Sequence, residues 1–364
     1  MGKAHFAAQA MTNLFEVETA LFSRHSSKNI SSSQMWNIPE SALCQTEAEF
    51  YRRAGGADVA VILTPTPLHS RQLKELIGRV DSVICEKTVA SSYLDGLELI
   101  AASAAGKFRV FPVFNYSGYT QVRHLRRLVE ERFFGDLISV SAKMPQQTFL
   151  TREEDFSPSR VQEWRLHDGP ITGVSLDLGS HLLHLIQFVT QKNLRSVTAQ
   201  GGHFGIQSNV LDMVQALVKL DGNLPAVVEY GKVHLGHENG LSIEIFGTEQ
   251  SARWVQTSPD RLEISNNNGH QSVLTKTSGV YRNGPESSYD SFKPGHPSGF
   301  VEALSNFYSD VAHVILPPGD SSGFGANFLP TLDDAVSNLR YLELIEKSIV
   351  TGNWESTGEI ATGE

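Results

Sequence analysis

Three short stretches of this 364-residue chain hold side chains suited to moving a proton on or off a small oxygenated molecule. The first is Asp177-Leu178-Gly179-Ser180-His181, where an acid and an imidazole stand four residues apart at a helix start and so share one face. Histidine changes protonation near neutrality and suits proton exchange with an alcohol or ketone. A neighbouring carboxylate would orient it and favour its charged form. The same pair also suits a plainer role, with Asp177 capping the helix and His181 as a structural residue. His184 follows three residues later without a third ligand, so no metal centre is expected.

The second stretch is Cys85-Glu86-Lys87-Thr88, just past an apolar strand. A lysine at the edge of a buried site can hold a substrate hydroxyl and help its proton leave, although most lysines in such places are simply solvated. The third is Thr64-Pro65-Thr66-Pro67-Leu68-His69. It lies at the carboxyl end of another apolar strand, the edge at which open α/β sheets bind ligands. Its threonines offer hydroxyls to a ribose or phosphate, while Pro67 equally suits the first turn of an ordinary helix.

These stretches are positioned by an alternation of strand and helix. Residues 57–64 form a continuous apolar run, the pattern of a parallel strand covered on both faces. A helical stripe follows over 68–79, then a strand at 80–85, a helix at 91–105 and a strand at 108–114. That order predicts a doubly wound α/β domain over residues 1–113. Beyond it, helices at 119–132 and 178–191 precede closely spaced strands near 196–204, 211–220, 225–235, 241–247, 251–256 and 261–266. Asp221-Gly222-Asn223 and Gly247-Thr248-Glu249 supply turns. The pattern predicts an α+β domain over 114–330 with a large open antiparallel sheet, one face of which is a candidate dimer surface. Residues 267–296 read as a long loop, and helices at 299–315 and 332–351 flank a flexible stretch over 317–327. The last, within 331–364, is expected to pack back on both domains.

The front of the chain is unusual. Met1-Gly2-Lys3-Ala4-His5 reads as a helix start, followed by an apolar strand at 17–23. A dinucleotide-binding unit needs a strand and a G-x-G-x-x-G turn before that helix. Gly2 suits the third glycine, so the Rossmann domain is expected to be incomplete at its N-terminus. Loss of a strand with four or five buried apolar side chains would cost on the order of 10 kcal/mol, against a typical total of ~5–15 kcal/mol. The expectation is therefore a start that truly lies upstream, with Met1 internal to the turn. After the second strand, Ser23-Arg24-His25 offers no carboxylate for a ribose 2′-hydroxyl, whereas Arg24 suits a 2′-phosphate and leans toward NADP. A solvated loop arginine is the alternative.

The net charge of −10 and the scatter of 30 basic residues argue against a nucleic-acid surface. Two distant cysteines, no hydrophobic leader and no apolar run near the ~20 residues of a membrane span predict a cytoplasmic protein outside the membrane.

Taken together, TPTPLH, EKT, the 114–119 stretch FNYSGY, the 163–165 stretch EWR and SLDLGSH resemble the Gfo/Idh/MocA oxidoreductases. The resemblance continues through NGLSIEIFGTEQSARW, GHPSGFVEALSNFY and PTLDDAVSNLRYLELIEKS, nearly the full length. It implies a Rossmann domain binding NAD(P), an open-sheet domain, and hydride transfer between a sugar, inositol or related polyol and nicotinamide. It implies Lys87, Asp177 and His181 as catalytic positions, with Asp177 orienting the sugar or the histidine. Gly2, Ser23, Arg24, Thr64, Thr66, Pro67, His69, Glu86 and Lys87 are the expected cofactor-facing residues. Asn115, Tyr116, Trp164, Arg165 and His181 are expected to line the substrate cleft. A homodimer or homotetramer through the open sheet is also implied. Thr88 departs from the family's EKP pattern. Two other readings stay open, a non-catalytic binder of nucleotide or sugar and an inactive, N-terminally truncated paralogue.

Overall fold

Three parallel strands organise the first third of the chain. The computed structural model describes residues 1–106, 108–153, 161–206, 209–316 and 325–358. Helices α1 (Gly2–Thr12), α2 (Ser26–Met35) and α3 (Glu47–Ala54) lead to β1 (Ala60–Ile62), α4 (His69–Leu76), β2 (Ser82–Glu86), α5 (Tyr93–Gly106) and β3 (Arg109–Val113). The sheet order is β1-β2-β3, all parallel. Val83, Ile84 and Cys85 are fully buried because helices cover both faces, which explains the unbroken apolar run.

The strand expected at 17–23 does not form. Only Ala20 bridges, to Leu43, while Val17, Leu21 and Phe22 keep much of their surface exposed. A strand needs ladder partners along its length, and here Ala20 alone has them, through the Ala42 carbonyl and the Cys44 amide. For the same reason β1 is shorter than 57–64: among the described residues it pairs with β2 alone.

The second sheet has nine strands. After α6 (Thr120–Glu130) come β4 (Leu137–Pro145), a π-helical turn (Ser175–Gly179) and α7 (Ser180–Thr190). Then follow β5 (Leu194–Gly202), β6 (Met213–Leu220), β7 (Pro225–Gly231), β8 (Ser242–Gly247), β9 (Gln250–Val255), β10 (Leu262–Asn266) and β11 (Gln271–Leu274). Helices α8 (Gly279–Arg282), α9 (Phe300–Ile315) and α10 (Leu332–Thr351) precede β12 (Glu355–Ser356). The order is β11-β10-β9-β8-β4-β7-β6-β5-β12.

Two expectations change here. The sheet is mixed rather than purely antiparallel, because β4 inserts between β8 and β7 and runs parallel to β7. Val140, Ala142 and Met144 of β4 are buried in alternation with Ser139, Ser141 and Lys143, a period-two pattern. The stretch 267–296 is not a plain loop, since it carries β11, α8 and a 3-10 turn at Pro285–Tyr289. The 317–327 stretch lies largely outside the described residues, as does the chain beyond 358.

The last two long helices bind the sheets together. Leu304, Phe307, Tyr308 and Val311 of α9 pack with Ala8 of α1 and with Ile84, Phe111 and Val113 of the small sheet. On α5, Gly96 lets α10 approach closely, for a Cβ there would fall 2.9 Å from Val336. Among the described residues, no helix is long and apolar enough to cross a membrane.

Candidate functional site

Lys87 is the first residue past β2, and the Lys87–Thr88 peptide is cis. Its Nζ turns to the π-helical turn, donating to the carbonyls of Asp177 (2.5 Å) and Leu176 (3.2 Å) and standing 3.4 Å from Asp177 Oδ1. Gly179 lets this turn sit tightly, since a Cβ would lie 2.8 Å from the Tyr230 ring. Burial pulls the Lys87 ammonium below its ordinary pKa, opposed by Asp177 and Glu86.

Asp177 is held by three cations. Arg165 grips it bidentately at 2.9 Å on each oxygen, Lys232 donates to Oδ2 at 2.7 Å, and Lys87 is the third. Burial alone would raise its pKa, but Lys232, then Lys87 and Arg165, outweigh that and hold the carboxyl well below the usual range. Asp177 is therefore ionised and fully engaged. It does not orient His181 as expected: the His181 Nδ1 is shielded and has no hydrogen-bond partner. The reason is competition, because charged donors outbid a neutral ring.

The His181 ring stands edge-on to Tyr116, centroids 4.7 Å apart, and to Phe114 at 6.3 Å. Burial, reinforced by Lys87, keeps its pKa well below the ordinary histidine value, so the ring is neutral near pH 7. From Tyr116 a chain of contacts leads back. Asn239 donates to the Tyr116 hydroxyl (3.0 Å), Gln146 to Asn239 (3.1 Å), and Lys232 to Gln146 (3.2 Å). Lys87, Asp177, Lys232, Gln146, Asn239, Tyr116 and His181 thus form a continuous circuit. It is closed by the one helical turn between Asp177 and His181. Lys87, Tyr116, Gln146 and Lys232 lie just past the carboxyl ends of β2, β3, β4 and β7, Asn239 in the loop before β8, Asp177 in the π-helical turn and His181 on α7.

The other expected residues fall around this circuit. Asn115, two residues past β3, is buried with its Nδ2 unpartnered. Trp164 lies partly buried, its Nε1 on Gln162, with the Arg165 guanidinium stacked 4.6 Å over its ring. Glu86 is taken on one oxygen by the Lys87 amide and on the other by His5 of α1, which also contacts the Tyr308 hydroxyl. His69 is a strut, each ring nitrogen 2.7 Å from a carbonyl, that of Thr64 or of Thr88. Thr64 donates to Gln72, and Thr66 is buried beside Pro67 in a 3-10 turn. Gly2, Ser23 and Arg24 lie at the front of the chain and take no part in the circuit's hydrogen bonds; Gly2 and Arg24 are exposed. Among the described residues, no three His, Cys, Asp or Glu side chains gather as metal ligands would.

Lys232, Gln146, Asn239 and His5 escaped the sequence reading. For Lys232 a signal existed. Ala226, Val228 and Tyr230 occupy the buried register of β7, and Lys232 is next in that alternation.

The C-terminal-domain model of the GFO/IDH/MocA proteins matches residues 122–253. An oxidoreductase of Bacillus subtilis, YfiI, is 25% identical over 316 residues, covering 84% of this chain and 79% of its own. The chain is thus similar to the Gfo/Idh/MocA oxidoreductases, and over residues 122–253 it matches their C-terminal domain. As in that family, an α/β Rossmann domain is joined to a large-sheet domain. Another relative is the 2,7-anhydro-N-acetylneuraminate hydratase of Escherichia coli, 23% identical over 220 residues, or 58% of this chain and 56% of that one. An inositol dehydrogenase homologue from Azotobacter vinelandii, solved with NADH and myo-inositol, shares the fold with a TM-score of 0.85. The match covers 98% of this chain and 93% of that one at 20% identity.

Proposed function

We propose that this chain is an NAD(P)-dependent dehydrogenase of the Gfo/Idh/MocA type. Its substrate is a sugar, inositol or related polyol, reacting at a CH–OH carbon. The observation that carries this reading is the circuit itself, a neutral His181 and a cationic Lys87 on one ring of side chains. His181 takes the hydroxyl proton, and burial keeps it free to do so at neutral pH. Lys87 donates to the same oxygen by giving up its longest contact, the 3.4 Å one to Asp177 Oδ1. Asp177 fixes Lys87 and Arg165, and Tyr116 and Trp164 wall the cleft.

The residues present fit a nicotinamide at the sheet edge. The Asn115 amide is a buried donor without a partner beside the Lys87 strand end, where a carboxamide or ribose oxygen would satisfy it. The bound nicotinamide would accept or return the hydride. Asn115, Glu86, Lys87 and the 64–69 turn would hold that end. Gly2, Ser23 and Arg24 would face the phosphates, with Arg24 favouring NADP; at Gly2 a Cβ would meet nothing within 4 Å. Leu217, Val227 and Phe246 lie exposed on the large sheet, and their face supports a homodimer or homotetramer.

The test is fluorescence titration with NADPH and NADH, followed by NAD(P)-linked turnover of a sugar and polyol panel. Submicromolar to micromolar binding with turnover, abolished by Lys87→Ala or His181→Asn while binding persists, supports the reading. Binding without turnover of any polyol would point to a non-catalytic role. A folded protein that binds neither dinucleotide would overturn it.

A further inference from the structure

The cations at the centre of the site outnumber the carboxylate they share, and the buried Asp212, whose carbonyl accepts from the Lys232 amide, has its own carboxylate taken by the Phe204 and Gly205 amides. Lys87, Arg165 and Lys232 converge on one carboxylate, Asp177. Glu86 is engaged by His5 and the Lys87 amide. Glu229, three residues before Lys232, faces the other side of β7, where Gln215 donates to it.

Lys232 is 4% exposed and has the Phe149 ring 5.7 Å from its Nζ. Its hydrogen bonds go to Asp177 and to the neutral Gln146, which accounts for two of its three donors. Arg165 is a quarter exposed at its side chain, open to a ligand, and rests on Trp164. Both cationic heads touch the same Asp177 Oδ2, so they are near neighbours. A buried charge without its counter-charge is costly, and a neutral polyol brings none.

We propose that the substrate carries an anionic group, a carboxylate or a phosphate on its sugar or polyol frame, which docks against Lys232 and Arg165. The inference rests on the dehydrogenase reading and narrows it from polyols in general to acidic ones. Lys232 is then a specificity-determining residue, and the hydroxyl being oxidised lies toward Lys87 and His181.

The test compares matched probes on the dinucleotide-loaded full chain by calorimetry and by initial rates. Glucuronate, galacturonate and gluconate are set against glucose, galactose and sorbitol, with glucose 6-phosphate as the phosphate arm. At least a tenfold advantage for an anionic member is expected in affinity or in kcat/KM. Lys232→Met should shrink that advantage to within about threefold, and Lys232→Arg should restore it, which separates lost charge from lost folding. Preference between the uronates and the phosphate names the anion. Neutral probes used as well as anionic ones, no anion-dependent binding across the panel, or an advantage that survives Lys232→Met would each overturn the proposal. Lys232-dependent anion binding without hydride transfer would instead sink the dehydrogenase reading and leave the anion site standing.

Discussion

Lys232 Nζ lies 2.7 Å from Asp177 Oδ2, although 55 residues separate them in the chain. The contact joins the end of β7 to the π-helical turn, and Tyr230 of the same strand bonds Ser175 in that turn at 2.8 Å. Strand register therefore delivers a lysine to the acid that the helix start presents.

Replacing Lys232 with methionine should lower kcat/KM by roughly 10- to 100-fold, as expected when one partner of a buried charged pair is removed. It should also reduce stability at neutral pH. The sign follows from Asp177, whose folded pKa is depressed. Its stabilisation is present above the unfolded carboxyl value and is lost as pH falls toward the folded one. Melting curves of wild type and variant should therefore converge as pH drops below ~4. A gap in melting temperature independent of pH would contradict this.

His181→Asn should cost about 10²–10⁴ in kcat, the usual range for a positioned general base. Burial and Lys87 keep the ring neutral well below its ordinary pKa, so kcat/KM should not fall at pH 6.5 on the acid side. On the alkaline side, a limb below the ordinary lysine value of 10.5 should appear as Lys87 deprotonates. A pH–rate profile that breaks at 6.5 in wild type and not in the variant would show that His181 is solvated.

His184 gives a separate handle on acid stability. It stacks on Phe114 at 4.1 Å and 8°, and burial, with Arg126 nearby, lowers its pKa to about 3. The unfolded ring protonates first as pH falls below 6.5, so stability should decline from there down to about 3. The contribution is on the order of 5 kcal/mol at most. His184→Phe should flatten the melting temperature over that window; an unchanged slope would place the acid sensitivity elsewhere.

Gly179→Ala should destabilise the protein by roughly 1–3 kcal/mol through overpacking. The new methyl would fall 2.8 Å from the Tyr230 ring and 3.0 Å from Leu342. Because the π-helical turn carries the Lys87 acceptors, kcat should fall more than binding of the dinucleotide. Thermal melts and NADPH titration read the two effects separately.

Some of the candidate site is legible in the sequence. Lys87 and His181 could be picked out because each follows a local rule, a strand end or a helix start, that needs no knowledge of distant residues. Helices α1, α4 and α5, and strands β2 and β3, were legible for the same reason, as continuous apolar runs and helical stripes report burial directly, whereas α2 and α3 were missed. Residues 17–23 failed because an apolar run predicts a strand only where neighbours complete the ladder. β4 was passed over although Val140, Ala142 and Met144 alternate correctly, since no turn signal placed it beside β7.

The one-dimensional pattern alone determined most of the sheet-forming segments, the two-part architecture and the residue types at the strand ends, because periodicity and turn chemistry act over a few residues. Tertiary structure decided which charges meet. That Asp177 is held by Lys232 and Arg165 instead of turning to His181, and that His5 takes Glu86, depends on register and packing between elements far apart in the chain. Such pairings are settled by desolvation and by competition among donors, and neither is visible until the elements are packed together.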